Sequence, residues 1–211
     1  MPLTVPTPRA TQGIVGATVA AFLLLWAYGL RAQEAYAYMA GMVPARISGS
    51  MVVTRGLPVL LTPLSATLLH GSVAHLAFNM VMLYYLGRYV EAFLGVPRFL
   101  LLYVVGAYFA GFAEYITSPA STVPVIGASG AVSAVLGAYA IYFGGRKAGE
   151  GRILSSHART VIWLAASWIG LQLLTGLVLN GPHGGIAIWA HIGGSIAGLL
   201  MAKPLAPMGR N

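Results

Sequence analysis

Long apolar stretches, broken by short loops that carry Arg and Lys, constrain this chain more than any other feature. A helix needs roughly 20 mostly apolar residues to cross the hydrocarbon core of a bilayer. Six stretches qualify, near residues 13–30, 63–86, 98–117, 127–143, 160–180 and 186–201. Only 8% of the 211 residues are charged and 58% are hydrophobic, whereas a soluble domain carries roughly 25% charged residues. Such a chain cannot cover a water-facing surface with charge. The expectation is an all-α membrane protein, with residues 1–211 forming a single polytopic domain of six transmembrane helices. The first twelve residues show no signal-peptide cleavage site, and the apolar run after them is long enough to span.

Charge placement orients the spans. Arg9, Arg88, Arg98, Arg146, Lys147, Arg152, Arg159, Lys203 and Arg210 all fall on one side if there are six crossings. Arg31, Arg46 and Arg55 fall on the other. By the positive-inside rule both termini are expected in the cytoplasm, and the loops before Gly127 and His191 on the outer side. The same placement accounts for the net charge of +8 without a nucleic-acid partner. The long outer loop from Arg31 to Thr62, with Tyr36, Tyr38, Met39, Met42 and Met51, is expected to hold short interfacial helices. There is no internal repeat, which argues against a transporter.

Polar residues inside a membrane are costly and need a reason. The stretch Val125–Ser133 places Ser129 between Gly127 and Gly130 where a loop becomes an apolar helix. The stretch Trp189–Gly198 places His191 near the start of the last helix. His191, Gly194 and Gly198 share one face, and Gly194 with Gly198 forms a small-xxx-small strip. If that strip packs on Gly130, Ala134 and Gly137, His191 comes within reach of Ser129, as nucleophilic catalysis by Ser requires. His75 and Asn79, four apart, share a face of the second span. The backbone N–H of Ser129 at a helix N-terminus, the Asn79 amide and a His75 ring N–H are candidate oxyanion donors. Gly127 and Gly130 leave room for a substrate backbone.

Other chemistries have less support. The chain has no Cys, so disulfides, thiolate metal sites and a Cys nucleophile are excluded. It has no Asp, so a Ser-His-Asp triad and a di-aspartyl protease are excluded, leaving a Ser-His dyad. Its Glu residues are Glu34, Glu91, Glu114 and Glu150, and only Glu114 lies near the outer half of a span. A His-Glu-x-x-His string is lacking. A zinc site built from His70, His75 and His191 is the remaining metal alternative; no metal or cofactor is expected. A proton relay or channel through His75, Asn79 and His191 is a further reading, in which Ser129→Ala is mild.

These residues resemble the rhomboid family of intramembrane serine proteases. His-x₄-His-x₃-Asn appears as His70, His75 and Asn79; Gly-x-Ser-Gly as Gly127, Ser129 and Gly130; and Ala-His-x-x-Gly-x-x-x-Gly as Ala190, His191, Gly194 and Gly198. Asn79-Met80, Gly87, Glu91, Gly95 and Arg98 are similar to the family's second-to-third helix stretch, and the resemblance runs from about Leu61 to Leu200. It implies Ser129 as nucleophile, His191 as general base and acid, and His75 with Asn79 in the oxyanion hole. It implies a six-helix bundle with the site open to the outer face; with no organelle-targeting segment visible, a bacterial-type plasma membrane is the expected location. Substrates are then membrane proteins with a transmembrane helix, cut in or near the lipid bilayer beside small residues. A catalytically inactive rhomboid-like binder of transmembrane helices is the alternative. Two positions depart from the family: the first loop lacks the Trp-Arg pair of many relatives, and position 133 is Ser where some carry an aromatic on the catalytic His. Glu91 and Arg98 read as structural. His183 reads as a solvated loop residue or part of a gate.

Overall fold

The computed structural model describes residues 7–143, 159, 163, 168, 170 and 187–207. The regular elements among them are helices, with no strand; an isolated antiparallel bridge joins Met42 to Val125. The helices are α1 (Arg9–Ala27), α2 (Leu30–Ala40), α3 (Pro44–Ile47), α4 (Thr62–Ser65), α5 (Val73–Leu94), α6 (Val96–Thr117), α7 (Ser129–Phe143) and α8 (Ile188–Leu205). Helices α1 and α6 are each long and apolar enough to cross a membrane. The bent pair Val59–Leu68 and Val73–Leu94 makes a third span if its two arms count as one. The expected fifth span, residues 160–180, lies outside the described residues except for helical Trp163, Trp168 and Gly170. His183, Arg146, Lys147 and Arg152 also lie outside them.

The second apolar stretch is not one helix from Pro63 to Leu86. The chain bends by 90° between its two arms. Leu69 and Ser72 are both extended, and Ser72 Oγ accepts the N–H of His75 at 3.1 Å. Ser72 is thus an N-cap, which restarts the helix at Val73 and leaves His70 in the break. The first helix also starts and stops earlier than residues 13–30. Gly29, at φ +86°, breaks the helical path, and α2 begins at Leu30. Gly95, at φ +78°, joins α5 to α6 alone, its N–H donating to the Glu91 carbonyl at 2.7 Å.

Helix α7 is the centre of the bundle. Every residue from Ser129 to Tyr139 is buried, against α5, α6 and α8. Glycines set how near the neighbours come. A Cβ on Gly194 would fall onto the Gly130 carbonyl, and one on Gly198 onto the Ala134 carbonyl. A Cβ on Gly137 would lie 2.8 Å from the Ser195 carbonyl oxygen. Backbones in near contact are the expected form of helix packing where lipid offers no hydrophobic drive.

Helix α1 is held differently. Its N-cap, Pro8, gives no side-chain cap. The buried Glu91 carboxylate of α5 takes that role, accepting the N–H of Ala10 at 3.0 Å, the N–H of Thr11 at 2.8 Å and Thr11 Oγ1 at 2.7 Å. Three donors satisfy a carboxylate that would otherwise be costly to bury. Glu91→Ala is expected to lower stability by about 1–3 kcal/mol and Glu91→Gln by less, as read by thermal unfolding in lipid–detergent micelles.

Candidate functional site

The loop entering α7 is pinned almost residue by residue. Met42 and Val125 exchange backbone hydrogen bonds at 3.1 and 2.7 Å, the Gly127 N–H donates to the Ala66 carbonyl at 2.9 Å, and the Ala128 N–H meets His70 Nε2 at 3.4 Å. The first loop is one anchor of this set. Arg46 braces it from inside: Nη1 donates to the Tyr38 and Met39 carbonyls at 3.1 and 3.3 Å, and Nη2 to the Leu57 carbonyl at 2.6 Å. The loop without the Trp-Arg pair therefore still has an arginine at its core. Its short helices α2 and α3 lie where interfacial helices were expected along the sequence.

Ser129 is the first residue of α7 and is 7% exposed. Its Oγ lies 2.7 Å from His191 Nε2 on α8. The first-turn N–H groups of α7, that of Ser129 included, have no intrahelical acceptor and face the end where the helix dipole is positive. The structure thus brings Ser129 and His191 into a hydrogen bond across the packed glycine strips.

His75 stands across Gly127 from the serine. A Cβ on Gly127 would lie 2.6 Å from His75 Nε2 and 3.8 Å from Ser129 Oγ, and Gly127 has φ +116°. Only glycine fits this backbone and leaves the gap between the two side chains open. Asn79 sits one turn further along α5, 1% exposed; its Nδ2 donates to the His75 carbonyl at 2.9 Å, while Oδ1 has no hydrogen bond. The second N–H of that amide is not used by this contact. His70 pairs edge to face with His75 at 4.8 Å between ring centroids. Among the described residues, no three His, Asp or Glu side chains converge as metal ligands do.

Two side chains near Ser129 and His191, Trp168 and Glu114, were not assigned a place there from sequence. Trp168 Nε1 donates to Ser133 Oγ at 3.2 Å, and Ser133 Oγ donates to the Ser129 carbonyl at 2.8 Å. The Trp168 ring also lies edge-on to His191, with centroids 6.4 Å apart. Glu114 was visible only as the one carboxylate in the outer half of a span. Its Oε2 accepts the N–H of Ala190 at 3.3 Å. Ala190 is the third residue of α8, and the N-cap, Ala187, has no side chain able to cap. Glu114 thus supplies from α6 the acceptor that Ser or Asp at the N-cap normally provides. Glu114→Ala is expected to cost about 1 kcal/mol and Glu114→Gln less, measured by thermal unfolding in micelles.

Comparison with known proteins points to one family. Residues 58–207 match the Rhomboid domain family model. The chain is 34% identical over 141 residues to the rhomboid protease GlpG of Yersinia pestis (strain Pestoides F), covering 65% of this chain and 45% of that protein. It is 34% identical over 140 residues to the rhomboid protease GlpG of Serratia proteamaculans (strain 568), with the same coverage. The chain thus spans just under half the length of these curated relatives. With most of its length matched by the family model, this integral membrane protein belongs to the rhomboid family.

Proposed function

We propose that this chain is an intramembrane serine endopeptidase that cuts the transmembrane segments of other membrane proteins. The observation that carries this reading is the 2.7 Å contact between Ser129 Oγ and His191 Nε2 at the N-terminal end of a buried helix. His191 takes the Ser129 proton as Oγ attacks a peptide carbonyl, and an acyl-enzyme forms as His191 returns that proton to the leaving amine. Water, deprotonated by His191, then releases the new carboxyl group and regenerates Ser129. The oxyanion of each tetrahedral intermediate is met by the Ser129 N–H, by the free N–H of the Asn79 amide and by a His75 ring N–H. The gap that Gly127 keeps open admits the scissile backbone.

The relatives' names speak of protease activity in those proteins. Six spans with both termini in the cytoplasm and the site open to the outer face of a bacterial-type plasma membrane complete the reading. The partners are then the lipid bilayer and membrane proteins with a transmembrane helix. Small residues at the cut suit a gap that one glycine holds open. No cofactor takes part.

The test is labelling by a fluorescent fluorophosphonate in lipid. The parent is expected to label, and Ser129→Ala and His191→Ala are not. Equal labelling of parent and Ser129→Ala would overturn the mechanism. With a cleavable transmembrane reporter, Ser129→Ala is expected to lose roughly 10⁴-fold or more in rate, because a nucleophile and its base act as a unit. Asn79→Ala is expected to lose roughly 10- to 10³-fold, since one oxyanion donor of several is removed.

A further inference from the structure

Trp168 and Ser133 close a ring of contacts that begins and ends on Ser129. From Ser129 Oγ the path runs to His191 at 2.7 Å, from the His191 ring to the edge-on Trp168 indole at 6.4 Å between centroids, from Trp168 Nε1 to Ser133 Oγ at 3.2 Å, and from Ser133 Oγ to the Ser129 carbonyl at 2.8 Å. A helical serine bonded to the carbonyl four residues back is common on its own. Here the hydroxyl also accepts the indole N–H, so its donor and acceptor are both used in a site that is 0% exposed. The indole, 2% exposed, is held on its other side by Phe78 of α5, stacked at 5.4 Å and 18° between planes. A ring fixed by a hydrogen bond at one edge and by stacking on one face has little freedom to turn. It therefore presents a stationary wall to the His191 imidazole.

From this we propose that Trp168, with its orientation set by Ser133, is a positioning residue for His191 and keeps Nε2 aimed at Ser129 Oγ. The inference rests on the protease reading of Ser129 and His191. A histidine that must receive a proton and then give it to a different atom has to stay in line through both transfers, and small misplacements of reacting groups are costly. The Trp168 ring limits that drift without exchanging a proton itself.

The experiment uses the full chain in lipid and a small fluorophosphonate, which reaches the serine without a substrate helix having to enter. It separates the probe's affinity from the rate of bond formation. Trp168→Leu is expected to slow bond formation roughly 10- to 100-fold with probe affinity unchanged. Trp168→Phe, which keeps the ring and removes the N–H, and Ser133→Ala are each expected to show smaller losses. Their double variant is expected to be no slower than the slower single one, because both cut the same bond. Phe99→Leu, in the core where the ring lies beside Gly87 and Thr11, is expected to lower the unfolding temperature and leave bond formation at the parent rate. Parent-like bond formation in Trp168→Leu, or losses that simply add in the double variant, would overturn the positioning role. If Trp168→Leu does not fold, the Trp168→Phe and Ser133→Ala cycle decides alone. A parent that labels no faster than Ser129→Ala marks failure of the protease reading, a result distinct from either of these.

Discussion

The near contact of α7 with α8 is the constraint on which the rest of the site depends. Ser129 and His191 are 62 residues apart in the chain, and along the strip where their helices meet most closely the spacing is not set by bulky side chains. Peptide backbones set it, because Gly194 and Gly198 have no Cβ to hold the Gly130 and Ala134 carbonyls away. In water such an approach could be driven by burying large apolar groups. In lipid it depends on fit and on short-range attraction between surfaces that match closely. The same closeness that holds the helices together fixes the reach of the histidine.

Around that contact the polar groups form supports rather than a surface. Glu91 fastens one end of α1 and Glu114 one end of α8, each accepting N–H groups at a helix start whose own N-cap residue, Pro8 or Ala187, gives no side-chain cap. Helix starts carry unsatisfied donors and partial positive charge, so a carboxylate from a neighbouring helix answers both at once. Two of the chain's four acidic residues are used in this way. A bundle with so few charges employs them where backbone groups would otherwise lie bare in a poorly solvating medium.

How far the site could be read from sequence depended on how local its parts are. Ser129 at a loop-to-helix junction and His191 with glycines three and seven residues on are patterns within single segments. Helical periodicity alone predicted that they could meet. The bend at residues 69–72 was legible only as the break His70-Gly71-Ser72 in an otherwise apolar stretch, with Ser72 three residues before His75 as the cap. Trp168 could not be picked out, because an aromatic in an apolar stretch looks like any other membrane residue. Its importance lies in pairing with Ser133, 35 residues away. Glu91 was legible as structural, but its partners Ala10 and Thr11 lie about 80 residues upstream, where no periodicity reaches.

The pinned loop before α7 has a further consequence. Val125, Gly127 and Ala128 are each tied to a different part of the chain: the first loop, the turn before the bend and the bend itself. The position of Ser129 along the bundle is therefore set by the last few residues before it, and not by the length of the loop that leads there. Pro119 and Ser121 are tied to the first loop too, their carbonyls accepting Ser48 Oγ and the Ala45 N–H, each at 2.9 Å. Between Val125 and Ser129 there is no slack, and a single inserted residue would displace Ser129 relative to a histidine held on another helix.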